Sequence, residues 1–295
     1  MRGPTLASLL MLGACTASVD YSNAVFSCEL DGLCPGGQQC VLGICEQDPV
    51  AADGGVDVDG QPTPDGATAC IVEPASCDVA HCIPNTVCSV VVDGVVDEFV
   101  GAPSIVFQLP TGGNTVTVRP IWDAEALYLA FEVEDSQLTG TETADDAQNF
   151  LDDCVHWFID GEHNGGIGPD EGVYMLTDDY HGIVSVLGAR YDEQGDDANP
   201  GNPHRAWSSD AWLSAVTVNG TPNVGVDTDI GMTVEVKIPW STVNLAAPTD
   251  MTLLGLGLGH SDTDGATRVS GLWLNLDRPF QNAFNWQTVQ LRETQ

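Results

Sequence analysis

Residues 160–171 read DGEHNGGIGPDE, and their spacing is that of a cation-binding loop. Asp160, Glu162, Asn164 and Glu171 take the first, third, fifth and twelfth places, with Gly165 sixth and Ile167 eighth. Hard oxygens one residue apart can converge on Ca²⁺ while a glycine lets the chain wrap, which is the logic of the EF-hand loop. Here a strand pattern precedes the loop and Pro169 opposes a helix after it, so the element is not an EF-hand. The expectation is a calcium loop hung from a strand, with an affinity on the order of 10⁻⁴–10⁻³ M as in extracellular modules. The competing reading is an acidic turn in a protein full of acidic turns. Asp135, and Asp262 and Asp264 in SDTDG, are secondary calcium candidates.

Catalysis is not expected. His156 and His163 lie near carboxylates, and paired acids can hydrolyse glycosides. A chain with 43 Asp and Glu against eight Lys and Arg shows such pairs everywhere, so they carry little information. The chain has no G-x-S-x-G, no H-E-x-x-H and no phosphate-cradling glycine loop before a helix. Cys154 stands in mid-strand without a basic neighbour to lower its pKa, which makes it an inert thiol. The formal net charge of −35, with Lys237 the only lysine, excludes nucleic acid and repels anionic lipid headgroups, since both need cationic contacts.

The elements that must position these residues are strands. TVTVRPIW, ALYLAFEVED, CVHWFID, GIVSVLGARY, LSAVTVNG, TVEVKIPW, LLGLGLGH, GLWLNL and WQTVQL alternate with period two, and Gly, Asp, Asn and Pro punctuate the gaps. No stretch sustains an amphipathic helix. Many short strands over residues 90–295 predict an all-β fold, an antiparallel β-sandwich.

Upstream, residues 1–14 have the charge and apolar run of a signal peptide, too short to span a bilayer. LGAC resembles a bacterial lipobox, in which Cys15 would carry lipid and be the only link to a membrane; the alternative is an ordinary secretory signal. Thr16 after it points to the outer membrane of a bacterial envelope. Residues 15–45 form a Cys-rich mini-module (Cys28, Cys34, Cys40, Cys45), residues 46–69 an Asp/Gly/Pro linker expected to be disordered, and residues 70–89 a second cluster (Cys70, Cys77, Cys82, Cys88). The spacing is not that of a zinc ribbon, so these cysteines read as disulfides, with three pairings open in each cluster.

Five motifs in one order carry a resemblance: VDGVVDEF (92–99), IWDAEALYLAFEVEDSQL (121–138), DDCVHWFID (152–160), TVEVKIPW (233–240) and LGLGHSDTDG (256–265), closed by WQTVQL. Together they resemble the carbohydrate-binding family 9 type of domain, a β-sandwich close to the DOMON group, over residues 90–295. The resemblance implies a non-catalytic sugar-binding protein, with an extracellular or envelope polysaccharide as partner and structural calcium in the loops. Flat rings suit the C–H faces of sugars, and polar groups at their edges fix hydroxyls. The family's two stacking tryptophans map to Phe150 and Phe280, its Glu to His156, an Arg to the region of Tyr174, a Gln to that of Gly259 and an Asn to that of Asp277. Rings persist where the hydrogen-bonding set does not. Trp157, Trp240 and Trp273 are expected in the core, whereas Trp207 and Trp212 are expected to be exposed as alternative stacking residues. Two other readings stand beside this one: a sandwich that has lost its pocket and serves a structural or protein-binding role, and a haem-binding DOMON-type domain using His156, His260 or Met232.

Overall fold

A computed structural model describes residues 39–41, 44–46, 77, 79–110, 113–165, 175–196, 204–207, 212–225, 228–265, 267–275 and 280–293. The chain divides into two compact units, Met1–Ala67 and Thr68–Gln295. In the first, the described part is an antiparallel hairpin of β1 (Gln39–Val41) and β2 (Ile44–Glu46), with Cys40 opposite Cys45 in the backbone register. Cys15, Cys28, Cys34 and Cys70 lie outside the described residues.

The second unit is all-β. One sheet contains β3 (His81–Pro84), β7 (Cys154–Asp160), β8 (Asp179–Ser185), β9 (Arg190–Gly195), β10 (His204–Ala206), β13 (Leu253–Asp264), β14 (Thr267–Leu272) and β15 (Gln287–Arg292). Its order is β10-β9-β8-β7-β13-β15-β3, with β14 also paired to β13. The second sheet, in the order β11-β12-β6-β5-β4, contains β4 (Ile105–Gln108), β5 (Thr115–Trp122), β6 (Ala126–Glu134), β11 (Leu213–Asn219) and β12 (Gly231–Pro239). Among the described residues, all pairings are antiparallel except β15–β3 and a bridge from Asn85 to Trp122. Among the described residues there is no α-helix.

Alternation explains why the sheets stack. Leu127, Leu129, Phe131 and Val133 of β6 and Val234, Val236 and Ile238 of β12 meet Val155, Trp157 and Ile159 of β7 and Leu254, Leu256 and Leu258 of β13 in one buried cluster. Trp157, Trp240 and Trp273 are buried as expected. Trp212 is not exposed, contrary to expectation. It is fully buried edge-on to Trp157 at 5.4 Å, its indole N–H donates to Asp192, and the Arg190 guanidinium lies 5.0 Å over its ring. The outer face of the smaller sheet, with Ile121, Tyr128 and Ala130, is covered by Phe99 and Ala102. The VDGVVDEF turn is anchored there because Glu235 accepts the Asp93 and Gly94 amides at 2.8 and 2.7 Å.

Three sequence readings change. GIVSVLGARY is two strands, β8 and β9, because Gly188 at φ 81° turns the chain between them. The strand in GLWLNL ends at Leu272, since Leu274 takes φ 62°. The sandwich also begins before Val90: β3 lies within the second cysteine cluster and pairs in parallel with β15. Cys77 and Cys82 are bridged to each other, and Cys88 is also disulfide-bonded.

Candidate functional site

The outer face of the larger sheet carries an uncommon set of residues. Period two turns Cys154, His156, Phe158 and Asp160 of β7 away from the core. His156 lies opposite Gly259 of β13, and Phe158 opposite Gly257 on one side and His181 of β8 on the other. A Cβ on Gly257 would come within 2.8 Å of Trp286, and one on Gly259 within 2.9 Å of Phe280. The glycines of LGLGLGH therefore let two aromatic rings lie down on the strand. Phe158, Met175, Leu272, Ala283 and Trp286 form a small apolar cluster there, with Phe280 half-buried at its edge.

Beside it runs a polar row. Arg268 donates to Ser261 Oγ at 2.9 Å, and Ser261 Oγ lies 3.0 Å from His156 Nε2. His156 Nδ1 is 3.1 Å from His181 Nε2, and His181 Nδ1 is 2.7 Å from Glu193 Oε1. Tyr191 donates its hydroxyl to Glu193 Oε2 at 3.0 Å. One directed chain satisfies all these atoms, with Ser261 O–H donating to His156 Nε2, His156 Nδ1–H to His181 and His181 Nδ1–H to Glu193. His156, His181, Glu193 and Ser261 are all buried. Burial first, then the His181 ring, holds the His156 pKa well below its usual value, so it sits neutral in the chain.

Two half-buried rings are set against this row. Phe280 stands edge-on to His156, centroids 4.9 Å apart and planes at 88°. Phe150 stands edge-on to Tyr191 at 6.3 Å and 79°. Both rings named by the resemblance therefore reach the same face. His156 does not take the role of the family's Glu as a free ligand: both its ring nitrogens are engaged inside the protein. Tyr174 precedes β8 and lies outside the described residues, as do Asp277 and Glu171; the β8 residues beside His156 and Phe158 are Ile183 and His181. His181, Glu193 and Tyr191 were missed in the sequence. The alternation of DYHGIVS and RYDEQG was their only signal.

The acids gather in two groups. Asp135, Asp153 and Asp262, all buried, present carboxylate oxygens within 4.8 Å of one another. Asp153 accepts the Thr139 and Thr263 amides, while Asp135 Oδ2 and Asp262 Oδ1 are buried without a hydrogen-bond partner. Burial pushes Asp153 up to about 8. Burial, with Asp135 and Asp264 nearby, pushes Asp262 up to about 7. Three clustered carboxylates with orphaned oxygens fit a hard divalent cation.

The second group is Asp160, Asp178 and Asp179. It differs from the linear loop expected. Asp160 uses its oxygens to accept the Asn164 and Gly165 amides at 3.2 and 2.8 Å, folding the loop back on itself, and Asn164 donates its side-chain amide to Asp178. Glu162 is exposed and outside the cluster; its place is taken by the turn into β8. Asp179 Oδ1 is buried without a partner.

The haem reading fails on geometry. His260 faces the core, fully buried, with Nδ1 on the Cys154 carbonyl at 2.9 Å and Nε2 3.3 Å from Asn114, whereas His156 faces outward. Met232 packs in the core. Cys154 is a buried free thiol whose pKa burial raises, as an inert cysteine requires.

Residues 92–294 match the family model described as carbohydrate family 9 binding domain-like, and the chain belongs to that family, one of non-catalytic carbohydrate-binding modules. In fold it is similar to a family 9 carbohydrate-binding module from Caldicellulosiruptor kristjanssonii in complex with cellotriose, at 19% identity and TM-score 0.52, covering 73% of this chain and 94% of that one. The glucose complex of a family 9 module from the same organism aligns at 19% identity and TM-score 0.52, over 72% and 97%. A candidate carbohydrate-binding protein from Bacteroides uniformis aligns at 13% identity and TM-score 0.53, over 72% and 98%. No curated protein matches the chain.

Proposed function

We propose that this protein is a non-catalytic carbohydrate-binding module that holds a neutral sugar between Phe150 and Phe280 on the outer face of the larger sheet. The observation that carries this reading is that both half-buried rings stand edge-on to one row of polar rings, the partly buried Tyr191 and the buried His181 and His156. The row fixes the floor, and the phenylalanines offer flat faces for C–H stacking. Calcium at Asp135–Asp153–Asp262, and at Asp160–Asp178–Asp179, ties the loops flanking the face. A lipid on Cys15 would display the module on a bacterial envelope, with polysaccharide as the partner.

The test is glycan-array binding by the full chain in calcium and in EDTA, with cellotriose and glucose included because family relatives are complexed with them. Binding should weaken at least tenfold, about 1.4 kcal/mol, on Phe280→Ala or Phe150→Ala. Folded, calcium-loaded protein that binds no glycan would sink the reading. A protein partner would then be sought for the same face, a second reading favoured by the polar row being satisfied internally.

A further inference from the structure

A cleft of about 640 Å³, whose lining includes neither Phe150 nor Phe280, lies where residues of β8 and β9 meet the turn after β12. Trp207 and Tyr180 form its aromatic part, centroids 4.9 Å apart and tilted by 57°. Asn164, Gln194, Thr242 and Asn244 supply amide and hydroxyl groups around it. This volume falls within the range of roughly 300–1,000 Å³ typical of small-ligand sites.

Several features distinguish the cleft from an ordinary surface dimple. Trp207 is only partly buried at the margin of the core, whereas Trp212, close by in sequence, is fully enclosed. Asn244 caps the 3-10 turn after β12 in the left-handed region, at φ 55°, and lines the cleft. The Thr242 hydroxyl is enclosed in the wall without a hydrogen-bond partner, on a residue that is itself half-exposed at the cleft, so a χ1 rotation would present it to a ligand hydroxyl. An orphaned donor beside a half-exposed indole, among side-chain amides, matches what a sugar presents: an apolar C–H face with hydroxyls around its rim. Glu162 and Asp178 line the same cleft, and with the net charge of −35 they exclude anionic sugars.

We infer that this cleft is a second sugar site, taking one neutral pyranose ring stacked on Trp207 with a hydroxyl on Thr242. The ligand class rests on the carbohydrate reading above; the site is separate from the Phe150–Phe280 face. Two sites on one module would let it grip a single chain twice or cross-link two chains.

The full chain is titrated with cellotriose and with the neutral glycans of the array, followed by tryptophan fluorescence. Phe150→Ala/Phe280→Ala should retain a residual binding component. Thr242→Val should weaken that component about 3–10-fold, the effect of one hydrogen bond, while leaving the melting temperature unchanged or higher because the hydroxyl has no partner in the free protein. Trp207→Ala should abolish it. If the double phenylalanine variant does not fold, the Thr242→Val-sensitive phase is read in the otherwise unchanged chain, and its absence overturns the site. Complete loss in a folded double variant, with Thr242→Val and Trp207→Ala binding normally, overturns the second site and leaves the sheet-face reading standing. No binding to any glycan overturns both.

Discussion

With no cation bound, stability should fall as pH rises, and the three buried carboxylates Asp135, Asp153 and Asp262 say by how much. Without a cation, burial raises Asp153 to about 8 and Asp262 to about 7, against roughly 4 in an unfolded chain. Between those values the folded state binds more protons than the unfolded state, so each carboxyl removes about 1.4 kcal/mol of stability per pH unit as pH rises. Below about pH 4 both states are protonated and the slope vanishes; above about 8 the penalty is complete. For Asp262 alone the ceiling is about 4 kcal/mol, and because the neighbours titrate together the total is less than the sum of separate ceilings. A cation bound among the orphaned oxygens, as proposed, would cancel the repulsion. At a dissociation constant of ~10⁻⁴ M and ~10 mM calcium, binding contributes about 2.7 kcal/mol, or about 5–10 °C in melting temperature for a domain of this size. Calorimetry at pH 5.0, 6.0 and 7.5 in EDTA and in calcium measures it: the EDTA midpoint should drop with pH, and the gap between the two curves should widen. Asp262→Asn separates charge from site, because it should raise the EDTA midpoint at pH 7.5 yet lose the share of calcium stabilisation belonging to this cluster. An EDTA midpoint flat or rising with pH, or an undiminished calcium increment in Asp262→Asn, would refute the reasoning.

Gly257→Ala should destabilise the fold by about 1–3 kcal/mol, because its Cβ would press on Trp286 at 2.8 Å; a lowered melting point with altered near-ultraviolet dichroism checks it. Glu193→Ala leaves the buried His181 Nδ1–H without its 2.7 Å acceptor and should cost about 1–3 kcal/mol in urea denaturation, an effect that His181→Ala in the same chain should partly offset. Cys154 should resist thiol reagents in the folded protein and react at once in denaturant, as its burial and raised pKa require.

Long alternating strands were legible in the sequence because one face of each is apolar: ALYLAFEVED and TVEVKIPW could hardly be anything else. Short or mixed strands were not. HCIP and IVFQ are held by neighbours distant in sequence, Val289–Arg292 and Thr115–Val118, and bear no periodicity of their own. At the site, Phe150 and Phe280 were reachable through the family's motif order. His181 and Glu193 were not, since a histidine and a glutamate alternating on adjacent strands look like solvent-facing residues until the register brings them to 2.7 Å. The acidic group around Asp160 was only partly legible for a related reason. Linear spacing groups Asp160 with Glu162, Asn164 and Glu171, of which Glu171 lies outside the described residues, whereas the register also brings Asp178 and Asp179 beside Asp160, whose oxygens accept its own loop amides.

The parallel pairing of β3 with β15 has a mechanical side. The first strand of the sandwich along the chain, His81–Pro84, lies alongside Val289–Arg292 in the same direction. Tension applied to β3 along its own axis therefore loads the ladder between them in shear, its hydrogen bonds strained together instead of one after another. The Cys77–Cys82 bridge spans the entry point and covalently ties the first turn of chain to β3. A pull along β3 would thus have to break this seam all at once instead of peeling it open.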